Sequence, residues 1–161
     1  MGTGRLASIN VSDGGVPKVP VGAAGITPSG VEGDRQRDLR YHGGEDRAVS
    51  LYSLERIDAL AREGHLIGVG TCGENLTVSG LEWAAVGPGV ELLVGAARLR
   101  ITSYAAPCRT IEGSFVGGQV GRISQTIHPG WSRVYARVVA GGVVRVGDGV
   151  EVVDPATAEV R

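Results

Sequence analysis

Short runs in which apolar and polar residues alternate recur along the chain, and glycine-rich turns separate them. Alternation with a period of two is typical of a strand with one buried face, and closely spaced runs favour a sandwich or a barrel. The 27 glycines of the sequence suit many tight turns. We therefore predict a mainly β fold, a closed or nearly closed β-barrel with one or a few short helices. The predicted strands are residues 5–11, 48–52, 76–79, 90–94, 98–102, 131–139, 143–146 and 150–153.

Turn residues predict how these strands connect. The turn at Gly95 joins the fourth and fifth strands as a β-hairpin. The turn at Gly141-Gly142 predicts that the seventh strand folds back on the sixth. Residues 16–25 are rich in proline and valine, which restricts them to extended or edge structure. The glycine-rich residues 113–121 have no pattern that assigns them.

One helix is expected, directly after the strand at residues 48–52. Ser53 is a suitable N-cap because its hydroxyl oxygen accepts a hydrogen bond from an early helical N–H. Gly64 suits the turn that ends the helix. The apolar residues that helical spacing places on one face are Leu54, Ile57, Leu60 and Ala61.

Length and charge limit the classes of protein that this chain resembles. We expect residues 1–161 to form a single domain, with a frayed tail after about residue 154. The net charge of −1 gives no reason to expect a nucleic-acid or membrane partner. No long apolar run or signal pattern occurs, so a cytoplasmic location is expected. Lys18 is the only lysine among the 16 basic residues, and arginine suits bidentate contact with phosphate or carboxylate.

The segment at residues 30–52 is a long polar loop that ends in the second predicted strand. Its polar part contains four arginines, one histidine and three glycines. A long loop without periodicity is usually either functional or disordered. A glycine directly before Asp34 and the Gly43-Gly44 pair directly after His42 suit tight backbone bends that approach a ligand. We therefore expect this loop to form the wall of an anion-binding site.

Two cysteines are candidates for chemistry, and they are too few for a disulfide framework. Cys108 follows Pro107 at a predicted strand exit, and the adjacent guanidinium of Arg109 would stabilise its reactive thiolate form. The alternative is that Cys108 is a small buried apolar residue, the common fate of a free cysteine. Cys72 lies between glycines without a basic neighbour, so for this residue the buried role is preferred.

The three histidines do not form a metal motif with the cysteines. His42 lies in the polar loop, where it is a candidate acid–base group or anion contact. His65 follows the predicted helix, and His128 lies in a turn. Together with Cys72 and Cys108 they lack the close paired spacing of a structural zinc site, so zinc is not expected.

Motifs of several common enzyme classes are absent. The sequence contains no GxxxxGK phosphate loop and no GxGxxG between a strand and a helix. It also lacks a GxSxG nucleophile elbow. These absences argue against nucleotide hydrolysis, Rossmann redox chemistry and serine hydrolysis.

Three segments in this order resemble the MOSC domain, named after the C-terminal domain of molybdenum cofactor sulfurases. They are GVEGDRQRDLRYHGGEDRAVSLYS, CGENLTVSGL and a hairpin that ends in APC. The similarity extends over nearly the whole chain and is greatest to small stand-alone bacterial members. It implies a barrel-like β fold and a cysteine for sulfur handling, which corresponds to Cys108. It also implies that a cysteine desulfurase donates sulfur, which Cys108 carries as a persulfide to an acceptor.

The resemblance also identifies other residues of the pocket and leaves the cofactor open. In the reductase branch the matching cysteine ligates molybdenum, so the molybdenum cofactor is one alternative ligand of Cys108. Gln36 occupies a position at which many relatives have a histidine. We do not expect this chain to bind a cofactor tightly. Pyridoxal phosphate is not expected, because Lys18 is the only lysine available for a Schiff base. The further matching positions are Asp34, His42, Gly43, Glu74 and Asn75.

The function expected from the sequence is that of a sulfurtransferase-like enzyme or sulfur carrier. Cys108 is the nucleophile, and His42 positions or protonates a small-molecule or pterin acceptor. The alternatives are a molybdenum-dependent reductase of N-hydroxylated compounds, an enzyme that cleaves a carbon–sulfur bond, and a binding module without turnover. The residues expected to bind the substrate or its anionic group are Asp34, Gly43, Gly44, Arg47, Glu74, Asn75, Arg109 and Arg122.

Overall fold

Eleven strands and several short helical segments make up the computed structural model, which describes residues 3–34 and 45–153. The strands are β1 (Thr3–Val11), β2 (Val19–Val21), β3 (Ala23–Thr27), β4 (Gly30–Val31), β5 (Val49–Ser53), β6 (Leu76–Ser79), β7 (Glu91–Val94), β8 (Ala97–Tyr104), β9 (Val134–Ala140), β10 (Gly142–Arg145) and β11 (Gly149–Val153). The α-helix α1 (Leu54–Arg62) follows β5. Short 3-10 helices occupy Glu45–Arg47, Trp83–Ala85, Arg109–Ser114, Val116–Gly118 and Val120–Ile123.

Seven of the strands close into a barrel. Their order around the barrel is β1, β11, β7, β8, β9, β5 and β6, and β6 pairs with β1 to complete the circle. All neighbours are antiparallel except β5 and β6, which run parallel and are connected through α1. Closure satisfies the backbone hydrogen-bonding groups that an open edge would leave unpaired. The predicted mainly β fold with a closed barrel is therefore confirmed.

The predicted return of the strand after Gly141-Gly142 is wrong. β10 does not pair with β9 but with β3, and β3 also pairs with β4 to form a separate three-stranded sheet. β9 is already paired with β5 on one side and with β8 on the other, so it has no edge to offer β10. The hairpin at Gly95 is confirmed, with Leu92 opposite Leu99 in the register of β7 and β8.

Aliphatic side chains from the alternating runs fill the interior of the barrel. Each contributes roughly 1.5–3 kcal/mol through removal of its apolar surface from water. Because these side chains come from strands on all sides, the interior is a packed core, and a binding site must lie at an end of the barrel. Core residues with no exposed surface include Leu6, Ile9, Leu51, Leu76, Leu92, Leu99 and Val134.

The predicted helix is confirmed as α1. The Ser53 hydroxyl accepts a hydrogen bond from the Arg56 N–H at 3.2 Å, as expected of an N-cap. Ile57 and Leu60 are buried and hold α1 against the barrel. Gly64 follows with a φ of 102°, a left-handed conformation that favours glycine. In the part of the chain that the structure describes, no helix is long and apolar enough to cross a membrane.

A buried polar network fixes the start of β6. Asn10 Nδ2 donates to the Glu74 carbonyl at 3.1 Å and to Thr77 Oγ1 at 3.0 Å. Glu74 Oε2 in turn accepts hydrogen bonds from Thr77 Oγ1 at 2.9 Å and from the Gly70 N–H at 3.1 Å. Glu74 has no exposed surface, and burial raises the pKa of its carboxyl group above the ordinary value. The Glu74 side chain therefore links Gly70 and Thr77 at the start of β6, and its burial disfavours the ionised carboxylate.

The substitution Glu74→Gln should remove a pH dependence of stability. As the pH rises above the unfolded pKa, the unfolded chain loses a proton that folded Glu74 retains, so the stability of the wild type falls. Glutamine keeps the acceptor oxygen but does not ionise. As the pH rises above about 4, we expect the stability of the variant to increase relative to the wild type, by at most about 1.4 kcal/mol per pH unit. Urea unfolding at several pH values measures this difference.

The matched control is Glu82→Gln, which makes the same change at an exposed position. A difference between Glu74→Gln and the wild type that stays constant as the pH rises would contradict a raised pKa of the Glu74 carboxyl group.

Candidate functional site

A pocket lies at the end of the barrel where β1 and β8 end and where β6 and β9 begin. The cavity volume is about 280 Å³. This size suits a small ligand, since pockets for drug-sized molecules start at roughly 300 Å³. The lining residues are Gly15, Val16, Lys18, Ser50, Cys72, Gly73, Asn75, Ala106, Cys108, Thr110, Ile111, Arg133 and Tyr135.

Cys108 is the accessible thiol of this pocket. It lies four residues after the end of β8, in extended backbone at the N-cap of the 3-10 helix Arg109–Ser114. Its carbonyl accepts a hydrogen bond from the Ile111 N–H at 3.2 Å, which fixes the turn. The side chain is half-buried, so it is held by the protein and still reachable from the cavity. Arg109 is exposed and does not line the pocket.

Cys72 lines the same pocket, but its side chain is buried. It is only 1% exposed, in agreement with the buried role predicted for it. Burial raises the pKa of the Cys72 thiol to about 11. Cys72 is therefore a neutral thiol near neutral pH, and a neutral thiol is a poor nucleophile.

Lys18 and Asp34 form a buried ion pair at the wall of the pocket. Lys18 Nζ lies 2.7 Å from Asp34 Oδ1, and their side chains are 8% and 5% exposed. The same carboxylate accepts hydrogen bonds from the Ser12 N–H at 2.9 Å and from Asn75 Nδ2 at 2.8 Å. With three donors around it, Asp34 orients Lys18 and Asn75 and is not a free base. Of the predicted site residues Asp34 and Asn75, the structure places Asn75 in the lining and Asp34 behind it.

Arg133 is a second buried cation in the lining, and it was not among the site residues predicted from the sequence. The residue is 7% exposed. Its Nη1 donates to the Cys72 carbonyl at 2.8 Å, and its Nη2 donates to the Ala106 carbonyl at 3.4 Å. Its Nε has no hydrogen-bond partner among residues 3–34 and 45–153. Arg133 and Tyr135 lie two residues apart in the predicted strand at residues 131–139, so they share one face of it, and both line the pocket. This spacing is a sequence signal that could have identified Arg133.

Arg47 and Arg122, two other arginines predicted to contact an anionic group, do not line the pocket. Arg47 lies with its guanidinium 5.4 Å from the centre of the Tyr135 ring, next to the pocket. Arg122 makes two hydrogen bonds with Glu63, at 2.9 and 2.7 Å, and stacks on Trp131. The structure therefore does not bring Arg122 into the lining.

The structure describes only part of the polar loop at residues 30–52. His42, Gly43 and Gly44 lie outside the described residues, so the predicted approach of His42 to Cys108 stays a prediction. Glu74 is described, and its side chain faces the network at the start of β6 instead of the cavity. Among the residues that the structure describes, no cluster of three or more histidine, cysteine or carboxylate side chains is arranged to hold a metal ion.

The pocket thus combines one accessible thiol with an electropositive wall. Among the residues that the structure describes, its lining contains two cationic side chains, those of Arg133 and of Lys18, which is paired with Asp34, and no acidic side chain. The arrangement is suited to chemistry on the sulfur of Cys108 and to ligands that carry negative charge.

Comparison with known proteins agrees with the motifs in the sequence. The family model of the MOSC domain matches residues 38–151. The chain is 31% identical to Protein YiiM of Escherichia coli (strain K12) over 123 residues, which cover 73% of this chain and 54% of that protein. It is 34% identical to the uncharacterized protein YflK of Bacillus subtilis (strain 168) over 125 residues, which cover 74% of this chain and 54% of that protein.

A solved structure extends this similarity to the fold. The crystal structure of YiiM from Geobacillus stearothermophilus matches 93% of this chain and 75% of that chain, with a TM-score of 0.72 and 25% identity. The aligned part of the chain spans about half the length of YiiM from E. coli and of YflK. The family match covers more than half of the chain and includes β6, β8 and β9, three of the four strands around the pocket. The chain belongs to the MOSC domain family.

Proposed function

We propose that this MOSC protein is a sulfur carrier or sulfurtransferase-like enzyme that holds sulfur as a persulfide on Cys108. It passes this sulfur to a small-molecule acceptor or to the molybdenum cofactor. The observation that supports the proposal is the position of Cys108 as the half-buried thiol in a pocket with an electropositive lining. Cys72, in contrast, is buried and has a raised pKa.

The transfer consists of two displacements at sulfur. In the first, the Cys108 thiolate attacks the outer sulfur of a donor persulfide, the donor S–S bond breaks, and the donor leaves as a thiolate. In the second, a nucleophilic acceptor attacks the outer sulfur of the Cys108 persulfide, and Cys108 leaves as a thiolate. Both steps move a sulfur atom between two thiolates or related nucleophiles and need no external oxidant. A cysteine desulfurase is the donor that this proposal requires.

The lining of the pocket supports both displacements. The thiolate of Cys108, its persulfide anion and the departing thiolate all carry negative charge, and Lys18 and Arg133 line the pocket with positive charge. Interaction between charges is stronger in a partly buried site than in water. Arg133 in the lining can therefore interact with the negative charge that moves between sulfur atoms during each displacement.

The test is transfer of sulfur to Cys108 from a cysteine desulfurase supplied with cysteine. We expect the peptide that contains Cys108 to gain the mass of one sulfur atom, and reduction with a thiol should reverse the gain. Cys108→Ser should abolish it, whereas Cys72→Ser is the matched control and should retain it. Mass spectrometry of the intact protein and of its peptides measures both.

A wild-type protein that gains no sulfur, under conditions in which an established carrier protein does, would contradict the proposed function. A gain located on Cys72 instead of Cys108 would contradict the assigned residue.

A second candidate function is suggested by the charge of the same pocket. The molybdenum cofactor is anionic, and a cysteine thiolate is a suitable ligand of its metal. In this alternative Cys108 would ligate the metal, and Lys18 and Arg133 would face the negative charge of the cofactor. When bound, the cofactor would supply redox chemistry, such as reduction of N-hydroxylated compounds. The contribution of the chain is then to bind and orient the cofactor.

Metal analysis distinguishes this second candidate. Protein produced in a host that makes the molybdenum cofactor should contain close to one molybdenum per chain, and Cys108→Ser should lower this content. The same preparation of Cys72→Ser is the control. A wild-type protein with only trace molybdenum would contradict the second candidate and leave the sulfur carrier as the preferred function.

A further inference from the structure

We propose that the pocket contains an oxyanion-binding site, in which Arg133, assisted by Lys18, holds an anionic group of the molecule that exchanges sulfur with Cys108. The identification of this ligand as a sulfur donor or acceptor rests on the proposed function, but the binding of an anion does not. The chemical class is a small molecule with a phosphate, carboxylate or sulfonate group.

The first argument is the charge of Arg133. Its side chain is 7% exposed, and its described contacts are the carbonyl oxygens of Cys72 and Ala106, which carry no net charge. Within residues 3–34 and 45–153, no carboxylate forms a salt bridge with it. A buried charge without a counter-ion is unfavourable, so such groups are normally paired. Arg133 therefore has a requirement for negative charge that the described protein does not meet.

Nearby groups do not supply this charge. Glu74 interacts electrostatically with Arg133, but burial raises the pKa of its carboxyl group, which favours the neutral form. Asp34 is already paired with Lys18 at 2.7 Å. Cys72 has a pKa raised to about 11 and stays a neutral thiol. Among the described residues of the lining, the remaining group that can carry negative charge beside Arg133 is the sulfur of Cys108, and a bound anionic ligand would supply more.

The second argument is the geometry of the cavity. Arg133, Lys18 and Cys108 line the same space of about 280 Å³. A ligand held by Arg133 in this space therefore occupies the same cavity as the sulfur of Cys108. The two terminal nitrogens of the guanidinium group each donate one hydrogen bond to a carbonyl, and each carries a second N–H. A planar guanidinium with free donors is well suited to phosphate and carboxylate oxygens.

A comparison of two alkylating reagents tests this site without any sulfur transfer. Iodoacetate and iodoacetamide both form an S–C bond at Cys108 while the C–I bond breaks and iodide leaves. Iodoacetate carries a carboxylate, whereas iodoacetamide is neutral. An oxyanion site beside Cys108 should raise the rate ratio of iodoacetate to iodoacetamide above that of free cysteine under the same conditions. Peptide mass spectrometry follows Cys108 separately from Cys72.

Variants of the cationic wall identify the residues that cause the preference. Arg133→Gln should lower the rate ratio by about tenfold, the order expected for loss of one nearby partly buried charge. Arg133→Lys, which keeps the charge, should retain most of the preference. Arg137→Gln is the matched control, because it removes an exposed arginine from β9 that does not line the pocket. An unchanged ratio in folded Arg133→Gln would overturn the assignment.

Protection of the wild-type protein gives a test that needs no variant. Inorganic phosphate, acetate and methanesulfonate, each compared with sodium chloride at equal ionic strength, should slow alkylation of Cys108 if they occupy the site. The anion that protects at the lowest concentration identifies the ligand class. If the wild-type ratio equals that of free cysteine and no anion protects beyond the chloride control, the oxyanion site does not exist. Because this result is independent of persulfide formation, each proposal can fail without the other.

Discussion

The buried carboxylate of Asp34 holds together the wall on which the site depends. It accepts hydrogen bonds from the Ser12 N–H, Lys18 and Asn75, which belong to three separate segments of the chain. Without Asp34, the buried ammonium group of Lys18 would lose its counter-charge, and removal of one partner from a buried pair costs about 3–5 kcal/mol. The shape of the pocket and its positive charge are therefore coupled to the stability of the fold.

The two cysteines show how burial gives identical side chains in one cavity different accessibility. Cys72 is enclosed by the barrel end, and its raised pKa keeps it as a neutral thiol. Cys108 lies on an irregular turn after β8, where the chain leaves the barrel and the side chain stays reachable. A strand position would have placed the thiol either in the core or on the outer surface, so the turn is what allows a held but accessible sulfur.

The sequence predicted the strands better than their partners. Local alternation and caps identified β6, the β7–β8 hairpin and α1, because these features depend on neighbouring residues. The pairing of β10 with β3 was missed, since it depends on both edges of β9 being occupied by distant strands. Within the site, motifs identified Asp34 and Asn75, but Arg133 and the buried position of Lys18 were missed. Their burial is set by barrel closure, which no local pattern contains.

The central claim is that Cys108 shares a cavity with an anion-binding cationic wall. A crystal structure of the protein soaked in selenate, an oxyanion detected by its anomalous scattering, tests this claim directly. We expect an anomalous peak in the pocket, within hydrogen-bond distance of the Arg133 guanidinium and beside the sulfur of Cys108. Selenate peaks at surface arginines together with an empty pocket would contradict the claim.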